Sequence, residues 1–376
     1  MNKPVAVFAA NRGYALTSSR TALIRHFIDQ GWEVVLATAD DAESRSLVEL
    51  GARLEPVVFN RGGLSPGADW TAYRRMRAIC RRWKPALIQH FHAKPVIFGT
   101  LAARRVLGDS VAIVNAITGL GHAFITGGVA ARLAGWGYAV AMPRANRVIF
   151  QNRDDRQLFL DRGWVRDEQA RLIASSGVNV DRFAVVDRSG RDQRSPVVVM
   201  LGRLLRQKGI PEFCEVAERI RQRFPGARFL LAGEEEPDHP DGVTAAWLAE
   251  QEGVEYLGRL ANVRPVLEEA DLFLFPSYYR EGVPRVILEA AATALPVVGF
   301  DVPGVREAVR DGETGFLVAD RDVDALTDRV NGLLKDAEKR QEMGRAARRM
   351  VEADFDVRAI ERQYLDLYRE LGASVD

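Results

Sequence analysis

The sequence predicts an α/β protein of two doubly wound domains that face each other across a cleft. Short β-branched apolar runs alternate with longer amphipathic stretches, which is the pattern of parallel sheets covered by helices. This alternating series occurs twice, and the polar segment 175–196 separates the two series. We therefore predict an N-terminal domain over residues 1–180 and a C-terminal domain over residues 181–376.

Each series supplies its own set of predicted strands, with helical patterns between them. The first series has strands at 5–9, 33–38, 86–90, 112–116, 147–151 and 171–174, and helices that include 19–29 and the basic helix 70–83. The second series has strands at 197–201, 228–232, 254–257, 272–275 and 296–298. The last predicted helix, 357–371, carries an apolar stripe of Ile360, Tyr364, Leu367 and Leu371 that must pack on another surface.

Composition limits the possible classes of protein. With 47% apolar and 27% charged residues, the chain has the composition of a soluble globular protein and not of a disordered or fibrous one. Its longest uncharged apolar stretches are too short to cross a bilayer. Because Cys80 and Cys214 are far apart and the first residues lack a signal-peptide pattern, we expect a reducing cytoplasmic environment.

The two predicted domains carry opposite net charge. Residues 1–180 contain 24 Lys and Arg against 14 Asp and Glu, whereas residues 181–376 contain 28 against 37. A basic half indicates a partner that carries phosphate, or an anionic membrane surface. Attraction between the two halves would explain the same charges, so both explanations stay open at this point.

A possible phosphate site follows the first strand of the second series. Strand 197–201 ends at Gly202 and Arg203, and Lys208 comes shortly before a helix that begins near Ile210. A guanidinium, an ammonium and helix N-terminal amides at the end of a parallel strand are typical of a diphosphate site. An isolated pair of basic residues is more often a solvated surface feature, but the next segment favours the functional interpretation.

Two glutamates follow strand 272–275. Glu281 lies on the turn, and Glu289 lies eight residues further on, inside the helix that begins after Pro284. This spacing suits two hydroxyl-bearing parts of one ligand. Because an unpaired carboxylate in an otherwise apolar helix is costly, we expect Glu289 to meet a hydroxyl or a diol, with a position at the helix rim as the alternative.

Several motifs of other enzyme classes are missing. The sequence contains neither G-x-x-x-x-G-K-[ST] nor G-x-G-x-x-G, which disfavours P-loop hydrolases and dinucleotide enzymes. Segment 320–324, D-R-D-V-D, lacks the glycine and glutamate of a calcium loop and precedes a helical pattern, so we interpret it as a helix start. We therefore predict no metal site.

Taken in order, three segments resemble the donor-binding half of glycosyltransferase family 4. They are G-R-x-x-x-x-K at 202–208, E-G-x-P-R-x-x-x-E at 281–289 and P-V-V-G-F-D-V-P-G-V-R-E at 296–307, and the resemblance covers nearly the whole chain. It implies a retaining enzyme with the GT-B fold, in which two Rossmann-like domains face a cleft and helix 357–371 packs back on the N-terminal domain. The implied substrate is a nucleotide sugar, with no cofactor and no metal required.

The resemblance also implies roles for individual residues. Arg203 and Lys208 would bind the donor diphosphate, Glu289 the nucleoside ribose, and Glu281 with the Gly282 turn the hydroxyls of the donor sugar. The implied donor site consists of Gly202, Arg203, Lys208, Glu281, Gly282, Val283, Pro284 and Glu289. Positive charge at the leaving diphosphate would replace a metal ion there.

Polar residues also follow two strands of the first series. His90, His92 and Lys94 surround the end of strand 86–90, and Thr118, Gly119 and His122 follow strand 112–116. We expect the imidazoles to bind a sugar or a phosphate, because no carboxylate or cysteine accompanies them at the spacing of metal ligands. The predicted acceptor site consists of Gly13, His90, His92, Lys94, Thr118, Gly119 and His122. The predicted catalytic set is Arg203, Lys208, Glu281 and His92.

Two first-half segments, H-x-H-x-K-P at 90–95 and T-G-L-G-x-x-F at 118–124, are similar to a subgroup of the family. That subgroup elongates polyprenyl-diphosphate-linked sugars in O-antigen, capsule and N-glycan precursor assembly. The similarity implies a UDP-sugar donor carrying an N-acetylhexosamine and a polyprenyl-diphosphate-linked acceptor, with no nucleic acid as partner. We expect a cytoplasmic protein attached peripherally to the inner face of the membrane, with the basic helix 70–83 and residues 124–142 as the candidate contacts. For helix 70–83, packing on the sheet with a solvated basic face is the favoured alternative, and both can hold at once. The stripe that would pack inward consists of Trp70, Tyr73, Met76, Ile79 or Cys80, and Trp83.

Two other interpretations stay open. A nucleotide-sugar 2-epimerase would share the architecture, but it needs carboxylates at the cleft, where the first-half loops offer mainly His and Lys. A catalytically silent nucleotide-sugar-binding subunit of a polysaccharide assembly complex has no chemical reason to keep Arg203, Lys208, Glu281 and Glu289 together.

Overall fold

The computed structural model describes residues 3–60, 65–120, 128–237 and 239–374. The chain forms two compact units: Met1–Ser176 together with Arg358–Asp376, and Gly177–Val357. The first crossing between units therefore lies four residues before the predicted boundary, and the C-terminal segment belongs to the first unit.

A seven-stranded parallel sheet, ordered β3-β2-β1-β4-β5-β6-β7, forms the centre of the first unit. Its strands are β1 (Val5–Ala9), β2 (Glu33–Thr38), β3 (Arg53–Pro56), β4 (Leu87–Phe91), β5 (Ala112–Ile117), β6 (Arg147–Phe150) and β7 (Ala170–Leu172). Its helices before the crossing are α1 (Tyr14–Thr17), α2 (Thr21–Asp29), α3 (Ala42–Glu49), α4 (Pro66–Trp83), α5 (Thr100–Leu107), α6 (Gly128–Ala141) and α7 (Arg153–Asp161), with a π-helical turn at Pro95–Gly99.

The second unit has a six-stranded parallel sheet ordered β10-β9-β8-β11-β12-β13. Its strands are β8 (Val197–Leu201), β9 (Arg228–Ala232), β10 (Val254–Tyr256), β11 (Leu272–Phe275), β12 (Val297–Phe300) and β13 (Gly315–Val318). Its helices are α8 (Ile210–Arg221), α9 (Ala245–Ala249), α10 (Arg264–Glu269), α11 (Arg285–Ala292), α12 (Val305–Ala308), α13 (Val323–Lys335) and α14 (Ala337–Asp354). The last helix, α15 (Val357–Glu370), returns to the first unit.

Both sheets share one topology that decides where a ligand binds. The strand order reverses between β1 and β4 in the first sheet and between β8 and β11 in the second. In open α/β sheets, ligands bind beyond the carboxyl ends of the strands at this point of reversal. The loops after β8 and β11 contain the predicted donor residues other than Glu289, which lies on α11. The turn after β4 contains His92 and Lys94.

The central strands are easy to recognise in the sequence, whereas two of the four edge strands are not. Every residue of β8 is buried, because helices cover both faces of the sheet, and its sequence is accordingly a continuous apolar run. The edge strands β3 and β13 were missing from the prediction. Strand β3 reads R-L-E-P and is half exposed, and β13 begins at Gly315, so neither shows a clear β-branched run.

Helix α15 completes the core of the first unit. Ile360, Tyr364 and Leu367, which the sequence placed on one stripe, are buried in the same apolar cluster as Phe8 and Phe27. This confirms that the C-terminal helix packs on the N-terminal Rossmann-like domain.

Helix α4 departs from its predicted packing. Met76, Ile79 and Cys80 are buried as expected, but Trp70, predicted on the same stripe, is 57% exposed. At 100° per residue, the six positions from Trp70 to Met76 turn the helix by about 240°, which places Trp70 away from the buried face. The opposite face carries exposed Arg74, Arg75 and Arg81.

None of the helices in the described part of the chain combines the length and hydrophobicity that a bilayer span requires.

Candidate active site

The loops after β8, β9 and β11 bring two cations and two carboxylates together in the second unit. Arg203 Nη1 lies 3.1 Å from Glu236 Oε1. Lys208 Nζ lies 2.5 Å from Glu281 Oε1. Each of the cations predicted to bind diphosphate therefore has a carboxylate partner at the strand ends.

Lys208 is the more enclosed member of its pair. Its side chain is 8% exposed, against 22% for Glu281. Burial lowers the pKa of the Lys208 ammonium below its ordinary value because it removes water from the charge, and Glu281 offsets part of that change. A buried ammonium without a carboxylate partner would be strongly destabilising, so Glu281 keeps Lys208 charged at this position.

Tyr279 lies against both cations. Its ring centroid is 5.6 Å from Arg203 Cζ and 5.0 Å from Lys208 Nζ, within the range of a cation–π interaction. The ring therefore helps to fix the two charges relative to each other. Neither Tyr279 nor Glu236 was assigned a role from sequence. Glu236 was detectable in principle, because β9 neighbours β8 and the loop after β9 must reach the same sheet edge.

Two glycines allow these strand-end loops to approach closely. Gly209 has a φ of +81°, and a Cβ there would lie 1.9 Å from the carbonyl oxygen of Pro276. Gly304 has a φ of +86°, and a Cβ there would lie 1.7 Å from the carbonyl oxygen of Gly282. Both positions require glycine, because a side chain would collide with backbone. The loop that carries Lys208 is thereby held against the one that carries Glu281.

The other predicted donor residues contribute mainly backbone. Gly202 extends β8 by donating its N–H to Ala232 O at 3.0 Å. Pro284 is the N-cap of α11. The side chain of Val283 is buried, so a ligand would meet its backbone.

Glu289 has a partner on its own helix. Arg285 Nε lies 3.0 Å from Glu289 Oε1, one helical turn away. Burial raises the pKa of Glu289, and Arg285 and Arg182 oppose that rise. The argument from the sequence took the Glu289 carboxylate to be unpaired, which is wrong. The expected hydroxyl partner stays a prediction. A ribose at this position would share the carboxylate with Arg285.

His90 lies inside the first unit and not at its surface. Strand β4 continues to Phe91, so His90 is enclosed, with Nδ1 2.8 Å from Asn115 Oδ1. Thr100 Oγ1 donates to the same amide oxygen at 3.1 Å. Burial lowers the pKa of His90 to about 4. The predicted contact between His90 and an acceptor is therefore wrong, because the ring is part of the core.

His92 and Lys94 lie in the turn after β4. His92 has a φ of +69°, which is uncommon outside glycine and often occurs where a site imposes strain. Lys94 Nζ donates to Asp69 Oδ1 of α4 at 2.7 Å, and both side chains are mostly buried. The sequence offered no sign that Asp69 would meet Lys94, because the two residues lie on different elements.

The remaining predicted acceptor residues are less informative. Gly13 donates its N–H to Asp41 Oδ2 at 2.9 Å, at the start of α1. Thr118 and Gly119 are half-buried directly after β5. His122 lies outside the described residues.

A metal site was not expected, and within the described ranges no group of three His, Cys, Asp or Glu side chains is placed to hold a metal ion. Asp322 is the N-cap of α13, where its side chain accepts a hydrogen bond from Ala325 N at 2.9 Å. This confirms the interpretation of segment 320–324 as a helix start.

Two family models match the chain, one in each unit. The glycosyl transferase 4-like domain matches residues 17–176, and the glycosyl transferases group 1 domain matches residues 195–336. The second match contains every residue of the predicted donor site.

One relative matches along nearly the whole length. The N,N′-diacetylbacillosaminyl-diphospho-undecaprenol alpha-1,3-N-acetylgalactosaminyltransferase of Campylobacter jejuni is 26% identical over 96% of this chain and 97% of its own. Trehalose synthase of Pyrococcus horikoshii is 30% identical, but over 50% of this chain and 47% of its own.

Solved structures share the fold across both units. Sucrose-phosphate synthase from Thermosynechococcus elongatus superposes with a TM-score of 0.80 at 21% identity, covering 99% of this chain and 100% of that one. Anabaena HepE in complex with UDP-glucose gives 0.75 at 20% identity, covering 97% and 99%. The chain belongs to the GT-B glycosyltransferases of family 4 and is a sugar-transferring enzyme.

Proposed function

We propose that the protein transfers an N-acetylhexosamine from a UDP-sugar to a polyprenyl-diphosphate-linked saccharide, with retention of anomeric configuration. The observation that carries the donor is the Arg203 and Lys208 pair at the point where the second sheet reverses its strand order. The Campylobacter jejuni relative, whose name describes N-acetylgalactosaminyl transfer to a diphospho-undecaprenol-linked sugar, supports the acceptor and the type of sugar. The complex of HepE with UDP-glucose supports a UDP-linked donor.

The two cations would act on the leaving group. Negative charge accumulates on the diphosphate as the bond to the sugar breaks, and a guanidinium and an ammonium already fixed in place stabilise that charge without reorganisation. Glu236, Glu281 and Tyr279 provide this fixation. A bound diphosphate would displace these carboxylates or share the cations with them.

The glutamates would orient the donor. Glu281, next to Lys208, would accept hydrogen bonds from hydroxyls of the donor sugar. Glu289 would accept hydrogen bonds from the ribose hydroxyls, since an ionised carboxylate accepts several at once. Arg285 supports this role because it opposes the rise in the pKa of Glu289 that burial causes.

The acceptor would bind to the first unit. With His90 enclosed in the core, five described residues remain for this role: Gly13, His92, Lys94, Thr118 and Gly119. The strained backbone of His92 favours it for the contact with the reacting sugar.

We further propose that no metal ion is required, because the cations of the protein neutralise the leaving diphosphate. Full activity should survive treatment with EDTA at constant ionic strength. Loss of activity that Mn²⁺ or Mg²⁺ restores would contradict this proposal.

The proposed location is the inner face of the cytoplasmic membrane, to which the protein attaches peripherally. The exposed arginines of α4 would face anionic lipid, as the basic first half of the sequence suggested.

Release of UDP from UDP-N-acetylhexosamines, with and without a polyprenyl-diphosphate-linked saccharide, tests the proposed function. We expect release that depends on the acceptor, and a product whose new linkage keeps the donor configuration. A 2-epimerase would instead convert the UDP-sugar without an acceptor and without releasing UDP. Asp41 and Asp69 do lie at the strand ends of the first unit, but Gly13 and Lys94 engage them, which favours transfer.

A further inference from the structure

Helix α6 of the first unit presents an apolar stripe to solvent. Val129, Leu133 and Trp136 are 65%, 44% and 69% exposed. Their spacing of four and three residues places them within an arc of about 60° on one helix face. We call these three residues the α6 stripe.

The opposite face of α6 is firmly packed. Tyr138 and Ala141 are buried in the core of the first unit. A Cβ at Gly137 would lie 2.8 Å from Ile97 Cδ1, so the helix backbone sits directly on its neighbour. The helix is anchored along its inner face, and the α6 stripe is its outer face.

Helix α6 and the sequence around it carry charges of a single sign. Residues 110–153 contain four arginines and no Asp or Glu. Arg132 is exposed on α6 itself. Arg144, three residues after the helix, lines a groove of about 710 Å³ together with Trp70, Phe98 and Asp69, and Asp69 is paired with Lys94. On α6 itself the apolar stripe therefore lies beside a basic residue and no acidic one.

We propose that the α6 stripe inserts into the interfacial layer of an anionic bilayer, with α6 lying along the membrane surface. Tryptophan and aliphatic side chains beside arginines are what such an interfacial helix requires. Its 14 residues extend about 21 Å, less than the roughly 30 Å of a hydrocarbon core, so α6 lies on the bilayer and does not cross it. A symmetric dimer through this face would instead bring like charges of Arg132 together.

Sedimentation of the full-length protein with vesicles tests this contact. With vesicles of phosphatidylglycerol and phosphatidylcholine in equal parts, Leu133→Asp and Trp136→Asp should each lower the partition coefficient about tenfold or more. Val48→Asp is the matched control, because Val48 is an exposed apolar residue on another helix of the same unit, and it should bind like wild type. Unchanged binding in both α6 variants would overturn the proposal.

Trp136→Phe separates insertion from any effect of the aspartate charge or of misfolding. Phenylalanine keeps an apolar ring, so we expect vesicle binding close to wild type. Quenching of tryptophan fluorescence by brominated acyl chains should drop clearly in this variant, because Trp136 is the inserted indole. Equal quenching in wild type and Trp136→Phe would contradict insertion. A wild-type dimer that Leu133→Asp dissociates without vesicles would mean that a second copy covers the stripe.

This inference rests on the proposed function, because a lipid-linked acceptor would bring the enzyme to a membrane. Failure of the membrane contact can nevertheless be distinguished from failure of the proposed function. With a water-soluble, short-chain acceptor, Leu133→Asp should release UDP as fast as wild type. If wild type binds vesicles through α6 yet releases no UDP with any acceptor, the proposed function fails and the membrane contact stands.

Discussion

The two units follow the same topological rule, yet they treat their strand-end polar residues differently. In the second unit, Arg203 and Lys208 lie beside carboxylates at 3.1 and 2.5 Å, in loops fixed by close backbone contact. In the first unit, Lys94 also has a carboxylate partner, Asp69 at 2.7 Å, but His90 is enclosed in the core. Position at a strand end thus identifies residues near a site. Their partners and their burial decide whether they act in it.

Removal of either donor cation should reduce turnover more than any other change considered. Arg203→Ala or Lys208→Ala should lower kcat at least about 100-fold, because each removes a positive charge from the leaving diphosphate. Arg206→Ala is the matched control: Arg206 lies exposed in the same loop, and the variant should keep activity within a few-fold. Steady-state release of UDP measures all three. Near-normal turnover in both Arg203→Ala and Lys208→Ala would contradict the proposal that these residues bind the donor diphosphate.

The next prediction concerns His90, whose neutral, buried ring should contribute to stability and not to binding. Its pKa is about 4 in the folded protein against an ordinary value of 6.5. Between these values the unfolded chain binds the proton and the folded one does not, so stability falls as pH drops from about 6.5 to 4, by up to about 3 kcal/mol. Urea unfolding at a series of pH values measures this slope.

Substitution of the nearby His92 should have a different effect from substitution of His90. His90→Gln should flatten the pH dependence of the unfolding free energy, whereas His92→Gln should keep the wild-type slope and lower turnover about tenfold, the loss of one hydrogen bond to substrate. A reversed pattern, with His90→Gln stable but inactive, would return His90 to the acceptor site.

The sequence predicted the parts of the fold that depend on local pattern. All-apolar strands such as β8 were predicted with their observed bounds, and the motifs at Arg203 to Lys208 and Glu281 to Glu289 marked the strand ends where the loops meet. The pairs Glu236 with Arg203 and Asp69 with Lys94 were not predictable, because each joins residues on separate elements whose distance only tertiary packing sets. His90 was misassigned because the end of a strand is uncertain by a residue, which is enough to bury a side chain.

The pairing of Lys208 with Glu281 should be visible in the pH dependence of the reaction. Burial lowers the pKa of Lys208 and Glu281 opposes this, so kcat/KM should fall on the alkaline side at a pH below the ordinary lysine value, as the ammonium loses its proton. Glu281→Gln removes the opposing carboxylate and should move this alkaline limb to lower pH, in addition to reducing turnover. Lys208→Arg should remove the limb. A limb that stays in place in Glu281→Gln would mean that another group titrates.

The exposed basic face of α4 should make only a modest contribution to acceptor binding. Arg82 is bound to Glu55 at 3.0 Å, so the residues left to meet a membrane or an acceptor diphosphate are Arg74, Arg75 and Arg81. Replacing these three by Gln should raise the apparent acceptor KM several-fold and weaken vesicle binding, more so at low salt, where charges are less screened. The donor KM should not change, because the donor residues belong to the other unit. The same replacement of exposed Arg223, Arg345 and Arg349 in the second unit removes equal charge and should leave the acceptor KM unaltered. If both triple variants raise the acceptor KM equally, the loss of net positive charge accounts for the effect, and the α4 face has no specific role in binding.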